Sequence, residues 1–222
     1  MTATLEELTF HSFDAKAAFY DWGGFNLWLF HQINGLQPGE VYDQAMQLIT
    51  LAGDRHLFPY YMAFLMCCAL SSAIVRKFMG SINLKRQIYR WLGVLLVFGI
   101  GYVAVAAVIY GLKDYFQYPR PFIALQEGTF RVIGGLPELE KHWQTFPSGH
   151  AAFITLAVQS LRPVMNHLLR FLGWLLILMV CWSRIALGMH FPADVLAGFL
   201  LAWMVTALLQ LMLYKWMGLL HK

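Results

Sequence analysis

Three short segments in the second half of the chain combine basic, histidine and acidic side chains in patterns that suit a bound oxyanion. They cover residues 113–121, 147–150 and 183–194. Each segment adjoins an apolar run of helical length, so each lies where a helix begins or ends. Cations and a helix N-terminus can bind the oxygens of a phosphoryl group, and a paired imidazole can take part in its transfer.

The third segment contains His190 and Asp194, the pair with the clearest chemistry. His190 lies just before the last apolar run, and Asp194 falls in the first turn of that helix, after Pro192. This spacing allows the Asp194 carboxylate to hold one imidazole nitrogen, while the other stays neutral and points outward as a nucleophile. Considered separately, the two residues also fit a loop histidine and a carboxylate that complements the helix dipole.

The second segment predicts a helix N-terminus that can bind an anion. Ser148 is a favourable N-cap residue, and Gly149 permits close approach of the backbone to a ligand. The free N–H groups and partial positive charge of such a terminus attract anions. His150, in the first turn, would donate a proton to the leaving oxygen and later activate water. The alternative for this segment alone is an ordinary capped helix with an interfacial histidine.

Three cations accompany these groups, namely Lys113, Arg120 and Arg184. We predict that they hold the non-bridging oxygens of a phosphate and neutralise the charge that develops during transfer. The same segments contain few acids besides Asp194, and their histidines lie far apart in sequence, so we predict no metal site and no cofactor. For the basic residues alone, snorkelling to the membrane interface is the simpler interpretation.

Apolar helices must position these residues. Of 222 residues, 59% are hydrophobic and 13% are charged, whereas about 25% are charged in a typical soluble domain. A membrane-spanning helix needs roughly 20 largely apolar residues. The sequence therefore predicts an all-α, polytopic transmembrane helical bundle. Its five predicted spans cover residues 57–75, 91–112, 148–163, 166–183 and 195–214.

The N-terminal region, residues 1–40, differs from the catalytic helical bundle predicted over residues 41–222, although both belong to one membrane-embedded domain. Residues 25–33 are apolar but too short to span, so an interfacial helix is predicted there. A sixth span in this region is the weaker alternative. Residues 41–53 are expected to extend the first span as an outer helix. We interpret the Asp-Arg-His sequence at 54–56 as an interfacial anchor in preference to a contact with a lipid headgroup.

Loop charges predict the orientation of the spans. Residues 76–90 hold five basic residues and no acid, which favours the cytoplasmic side of an inner membrane. With five alternating spans, all three chemical segments then share the extracytoplasmic side. The formal net charge of +4 gives no reason to expect a nucleic-acid partner. The expected partners are the phospholipid bilayer and a lipid phosphate or diphosphate, and the sequence leaves the oligomeric state open.

Together, the three segments resemble the signature of the type 2 phosphatidic acid phosphatase superfamily in order and spacing. The matching residues are Lys113 with Arg120-Pro121, Pro147-Ser148-Gly149-His150, and Ser183-Arg184 with His190 and Asp194. The resemblance implies a metal-independent membrane enzyme with His190 as nucleophile, Asp194 as its orienting group and His150 as acid and base. It further implies phosphate binding by Lys113, Arg120, Ser148, Gly149 and Arg184.

The predicted function is metal-independent hydrolysis of a lipid phosphate or diphosphate through a phosphohistidine on His190. The short N-terminal stretch resembles the compact undecaprenyl-diphosphate phosphatases of this superfamily, which makes undecaprenyl diphosphate the first candidate substrate. A phosphatase for phosphatidylglycerophosphate or phosphatidate, and a phosphotransferase that uses a lipid diphosphate, stay open as alternatives. The non-enzyme alternative is an anion channel or transporter, for which an internal repeat would be expected and none is seen.

Overall fold

The computed structural model describes residues 20–80 and 83–216, and the first 19 residues of the predicted N-terminal region lie outside these ranges. The described chain is helical throughout its regular structure, which confirms the all-α class. Its main helices are α1 Phe25–Asn34, α2 Glu40–Leu51, α3 Phe58–Phe78, α4 Leu84–Phe116, α5 Gly149–Leu161, α6 His167–Ala186 and α7 Pro192–Trp216. Short helical turns at Arg55–Leu57, Pro121–Ala124 and Leu139–Lys141 lie in the connections.

Four stretches of the described chain are long and apolar enough to cross a membrane. They are Arg55–Phe78, Leu84–Ala124, His167–Ala186 and Pro192–Leu213, which correspond to four of the five predicted spans. The fifth predicted span is α5, which has 13 residues. At 1.5 Å per residue α5 is only about 20 Å long, against a hydrocarbon core of about 30 Å. The chain is therefore a membrane protein, and the count of five spans stays a prediction.

Helix α5 forms the centre of the bundle. Every residue from Ala151 to Ser160 is buried, and the helix packs against α4, α6 and α7. A helix that is apolar on all sides is stable where other elements surround it. The neighbouring helices cover α5, so its surface from Ala151 to Ser160 is buried by protein, while Gly149 and His150 at its N-terminus are half-buried.

Helix α3 has the opposite environment. It packs mainly along α4, and among its residues only Leu65 is buried. Large apolar side chains cover the remaining surface, including Tyr60, Phe64 and Leu70. An apolar helix with one packed side and an exposed apolar remainder suits contact with lipid.

The N-terminal helices pack against the bundle. Helix α1 contacts α6 and α7 and buries Phe30 and Ile33, while Phe25 and Trp28 stay exposed. Helix α2 lies along α6. The structure differs here from the expectation that residues 41–53 extend the first span, because the chain turns after Leu51 and re-enters a helix only at Arg55–Leu57.

The three chemical segments meet at one end of the bundle because successive helices run in alternating directions. Helices α4 and α6 end there, and α5 and α7 begin there. The opposite end holds the tight connection between α5 and α6, where the side chain of Asn166 caps α6 by accepting a hydrogen bond from the Leu169 backbone N–H at 2.9 Å. This connection joins the helices that occupy the predicted spans at residues 148–163 and 166–183.

The start of α5 lies directly against α7 at Gly198. A Cβ atom at this position would fall 2.3 Å from the carbonyl oxygen of Ser148. We expect Gly198→Ala to force these helices apart and to lower the free energy of unfolding by about 1–3 kcal/mol, as overpacking does. Thermal unfolding of the purified protein in detergent measures the loss.

Gly111→Ala is the matched control, because a Cβ atom on this exposed residue of α4 would meet no other atom within 4 Å. We expect the control to change the free energy of unfolding by less than about 0.5 kcal/mol. Equal melting temperatures for the two variants would contradict the close contact between α5 and α7.

Candidate active site

The structure gathers the predicted site residues where α4 and α6 end and α5 and α7 begin. Lys113 lies in the last turn of α4, and Arg184 lies in the last turn of α6. Asp194 is in the first turn of α7. The backbone N–H of Ser148 donates to the carbonyl of Asp194 at 2.9 Å, so the second and third segments are joined directly.

His190 and Asp194 form a buried pair. Nδ1 of His190 lies 3.4 Å from Oδ2 of Asp194. The hydroxyl oxygen of Thr145 lies 3.2 Å from the same nitrogen, and the hydroxyl donates to Oδ2 of Asp194 at 2.6 Å. Nδ1 can donate to these oxygens when it carries the imidazole proton, with the hydroxyl oxygen of Thr145 and Oδ2 of Asp194 as the acceptors. Nε2 then holds the lone pair, as a nucleophilic imidazole requires.

Two further donors fix the Asp194 carboxylate. The hydroxyl of Tyr20 donates to Oδ1 at 2.8 Å, and the backbone N–H of Phe191 donates to Oδ2 at 2.8 Å. Phe191 precedes the first residue of α7, so Asp194 also caps its own helix from within the first turn. A fully buried carboxylate needs such donors to offset the loss of water.

A left-handed glycine sets the position of His190. Helix α6 ends at Ala186, and Gly188 follows with φ +73°. A Cβ atom at Gly188 would lie 2.1 Å from the carbonyl oxygen of Arg131, so only glycine fits here. The reversal at this residue returns the chain toward the start of α7, where His190 meets Asp194.

Backbone carbonyls of the connecting segments orient two of the three cations. Arg120 donates through Nε to the carbonyl of Lys141 at 2.8 Å and through Nη1 to that of Met189 at 2.9 Å. Lys113 donates through Nζ to the carbonyl of Gln144 at 2.8 Å. These neutral acceptors position the basic groups without cancelling their charge.

The third cation, Arg184, and the predicted N-cap residue Ser148 retain unsatisfied donors. Arg184 donates through Nη1 to the hydroxyl of Thr50 at 3.0 Å. Within residues 20–80 and 83–216, its Nε is buried without a hydrogen-bond partner, and so is the hydroxyl oxygen of Ser148, which makes no capping hydrogen bond to α5. An unsatisfied buried group costs about 1–3 kcal/mol. A bound anion beside Ser148 and Arg184 would satisfy both groups.

The site carries excess positive charge. Among the described residues, Lys113, Arg120 and Arg184 form no ion pair with a carboxylate. Burial lowers the pKa of His190 well below its ordinary value, and the positive charges of Arg120 and Arg184 lower it further. The imidazole is therefore neutral near pH 7. Throughout the described residues, no group of three His, Cys, Asp or Glu side chains is arranged to hold a metal ion.

Sequence reasoning missed three residues that support this site. Thr145 binds both members of the His190–Asp194 pair, and its place two residues before Pro147 was the only signal in the sequence. Tyr20 reaches Asp194 across 174 positions, and Thr50 reaches Arg184 across 134. No spacing rule predicts contacts over such separations.

The N-terminal segment also braces the start of α7 and the end of α6. The side-chain oxygen of Asn26 accepts a hydrogen bond from the backbone N–H of Ala193 at 2.9 Å. The side chain of Asn34 donates to the carbonyls of Ala186 at 3.0 Å and Arg131 at 2.9 Å. Both asparagines are buried, so the segment is an integral part of the site's support.

This arrangement of helices and polar groups is that of a membrane phosphatase, and the comparisons with known proteins agree. The chain belongs to the PAP2 superfamily, whose model matches residues 90–217 and so includes all three segments. The chain is similar to phosphatidylglycerophosphatase B of Haemophilus influenzae, with 27% identity over 166 residues, 57% of this chain and 68% of that protein.

Two solved structures share the fold. LpxE of Aquifex aeolicus aligns with a TM-score of 0.62 and 22% identity, covering 83% of this chain and 94% of that one. A transmembrane PAP2-type phosphatidylglycerolphosphate phosphatase from Bacillus subtilis aligns with a TM-score of 0.62 and 18% identity, covering 95% and 92%. The resemblance seen in the three segments is confirmed, as is the prediction of an enzyme of the lipid-phosphatase type.

The hydrogen bond from Tyr20 to Asp194 generates a test of the N-terminal segment. We expect Tyr20→Phe to lower kcat about tenfold with little change in KM, because a hydrogen bond to a charged group contributes about 1.5 kcal/mol and this one positions the pair rather than the substrate. Steady-state kinetics in detergent measure both constants.

Tyr42→Phe is the control for this variant. The hydroxyl of Tyr42 accepts a hydrogen bond from Trp182, so the control also removes a bonded hydroxyl from the N-terminal part of the chain. We expect its kcat to match the wild type. A Tyr20→Phe variant that raises KM and leaves kcat unchanged would show that Tyr20 contacts substrate and does not act through Asp194.

Proposed function

We propose that this chain hydrolyses a lipid phosphate through a phosphohistidine on His190, with phosphatidylglycerophosphate as the first candidate substrate. The proposal is carried by one observation, the uncompensated positive site beside the His190–Asp194 pair. Three cations there have no carboxylate partner among the described residues, and Ser148 and Arg184 have buried donors without acceptors. A phosphate group brings both the negative charge and the acceptors that this site needs.

In the first step, Nε2 of His190 attacks the phosphorus atom. A P–N bond forms, and the bond to the lipid oxygen breaks on the opposite side. Three positive charges lie near His150, those of Arg184, Arg120 and Lys113. The bound phosphate offsets them and so favours the protonated form of His150. His150 then gives its proton to the lipid oxygen, and the leaving group departs as a neutral alcohol. Asp194 and Thr145 stabilise the positive charge that develops on the imidazole through their contacts with the Nδ1 proton. The three cations hold the phosphoryl oxygens.

In the second step, His150 is neutral and takes a proton from water. The water oxygen attacks phosphorus, the P–N bond breaks, and inorganic phosphate leaves. His190 returns to its starting form with the proton still on Nδ1, and His150 regains its proton. A second lipid in place of water would make the same intermediate serve a phosphotransferase.

The activity of similar proteins supports the choice of first candidate substrate. The proteins from Haemophilus influenzae and Escherichia coli are phosphatidylglycerophosphatases B, which favours phosphatidylglycerophosphate over undecaprenyl diphosphate, the first candidate from the sequence. In the proposed mechanism, the cations and donors described above contact only the transferred phosphoryl group, which both candidate substrates contain. Undecaprenyl diphosphate therefore stays as the second candidate.

The proposed location is the inner membrane of a bacterium, with the site on the extracytoplasmic side. The support is the set of basic residues at the end of α3 and the start of α4, which lie at the opposite end of the bundle from His190, namely Arg76, Lys77, Lys85, Arg86 and Arg90. By the positive-inside rule that end is cytoplasmic. Labelling of single-cysteine variants at the two ends in intact cells tests this orientation.

Phosphate release by the purified full chain in excess EDTA tests the proposed function. The substrates are phosphatidylglycerophosphate, undecaprenyl diphosphate and phosphatidate, and the specificities are compared as kcat/KM. We expect release in EDTA, with phosphatidylglycerophosphate preferred by about tenfold, a difference of about 1.4 kcal/mol. If none of the three lipids releases phosphate, the proposal is overturned. If activity is lost in EDTA and restored by magnesium, metal-independent transfer is contradicted.

The phosphohistidine intermediate can be trapped with radiolabelled substrate and acid quench. We expect His190→Ala to lose labelling and turnover while it stays folded. Asp194→Asn should lower turnover severely but less completely. His150→Ala should form the phosphoenzyme with a good leaving group and hydrolyse it slowly, so label accumulates. His167→Ala, at the opposite end of the bundle, is the control and should match the wild type.

A further inference from the structure

A fourth cation, Arg55, lies outside the three segments and outside the range matched by the family model. It is the first residue of the short helical turn Arg55–Leu57, just before α3. Its guanidinium donates a hydrogen bond to the hydroxyl of Tyr110 on α4 and lies 5.1 Å from the centre of that ring. The contact with Tyr110 therefore fixes the direction of an otherwise exposed side chain.

The charge of Arg55 acts on the catalytic site. It is close enough to Lys113 and to His150 for an electrostatic interaction with both. Among the described residues Arg55 has no carboxylate partner. A guanidinium has five donors, and the single hydrogen bond to Tyr110 leaves most of them for an anion.

A groove connects Arg55 with the start of α5. Gly149 and Arg55 both line this groove, and the rest of its lining is mainly apolar. The apolar lining includes Val105, Ile109 and Leu156. Beyond Arg55, a wider cavity of about 330 Å³ continues between the start of α3 and α4.

The order of these features matches the order of groups in one class of lipid. The transferred phosphoryl group would lie at Ser148, Gly149 and Arg184. The cavity between α3 and α4 would take a hydrocarbon chain, and its lining includes Phe58, Pro59 and Ala106. Arg55 lines both the groove that holds Gly149 and this cavity, so it lies between the two regions, where a substrate with a second phosphate would carry another negative charge. Arginine matches phosphate geometry with two parallel hydrogen bonds.

We propose that Arg55 binds a second anionic phosphate of the substrate, located between the transferred phosphoryl group and the lipid tail. This inference rests on the proposed function and names its substrate class, a lipid with two phosphates. In phosphatidylglycerophosphate the second group is the phosphodiester, and in undecaprenyl diphosphate it is the phosphate attached to the isoprenoid. Phosphatidate has no such group. The tests below distinguish the two sources.

The competing explanation is the one that the sequence favoured, in which Arg55 is an interfacial anchor. An anchor contacts the headgroups of any bilayer lipid and holds α3 at the membrane surface. Its removal would then change the turnover of every substrate by the same factor. A residue that binds the second phosphate instead changes the ratio between substrates with two phosphates and substrates with one.

The test compares Arg55→Gln with the wild type on two pairs of lipids with matched chains. The pairs are phosphatidylglycerophosphate with phosphatidate, and undecaprenyl diphosphate with undecaprenyl phosphate. In each pair, the kcat/KM of the lipid with two phosphates is divided by the kcat/KM of the lipid with one. We expect Arg55→Gln to lower this ratio about tenfold or more in at least one pair, since a charge-assisted hydrogen bond contributes about 1.5–3 kcal/mol. The pair that responds identifies the substrate.

Arg76→Gln, at the far end of α3, is the control and should leave both ratios unchanged. Arg55→Lys keeps the charge without the planar fork, so we expect it to recover part of the ratio. An equal loss on all four lipids supports the anchor and overturns the proposal. An unchanged ratio in both pairs also overturns it.

A binding measurement separates failure of this inference from failure of the proposed function. In the His190→Ala background, which cannot form the phosphohistidine, the Kd of each lipid is measured in detergent with and without Arg55→Gln. We expect Arg55→Gln to weaken binding of a two-phosphate lipid about tenfold more than its one-phosphate match. If wild-type protein releases no phosphate but this difference is present, the proposed function fails and the assignment of Arg55 stands. Equal weakening of matched lipids overturns the assignment whether or not the enzyme is active.

Discussion

The buried carboxylate of Asp194 is the constraint on which the rest of the site depends. It is fully inaccessible to solvent, so its lone pairs must be satisfied by protein donors. Those donors come from three separate parts of the chain: Tyr20 before α1, Thr145 before α5, and Phe191 at the start of α7. Because each must be in place, the N-terminal segment, the long connection and the last helix are fixed relative to one another.

The residues matched by the family model and the residues of the N-terminal segment have different roles in the site. Residues 90–217 contain every group that we propose contacts the transferred phosphoryl group. The preceding segment supplies groups that hold those residues, such as Thr50 on Arg184 and Asn26 on the backbone of Ala193. Arg55 differs from both sets, because its proposed contact is with the substrate beyond the phosphoryl group.

The short central helix α5 explains how a polar site can exist in a protein with so few charges. Three neighbouring helices pack against it, and Ser148, His190 and Asp194 near its N-terminus are buried within the protein. Polar and charged groups in such an environment interact more strongly than in water. The same burial leaves the hydroxyl of Ser148 and Nε of Arg184 without a hydrogen-bond partner among the described residues.

The sequence by itself determined the class of fold, four of the long apolar helices and the identity of the three segments, because these depend on hydropathy over one helix and on spacing within a few turns. It also predicted the contact of His190 with Asp194, which lie four residues apart at the start of one helix. Tertiary structure decided the length and burial of α5, the separate course of α2, and the contacts that Tyr20 and Thr50 make with Asp194 and Arg184. Those contacts join residues more than 100 positions apart, and they exist only because helix packing places distant segments side by side.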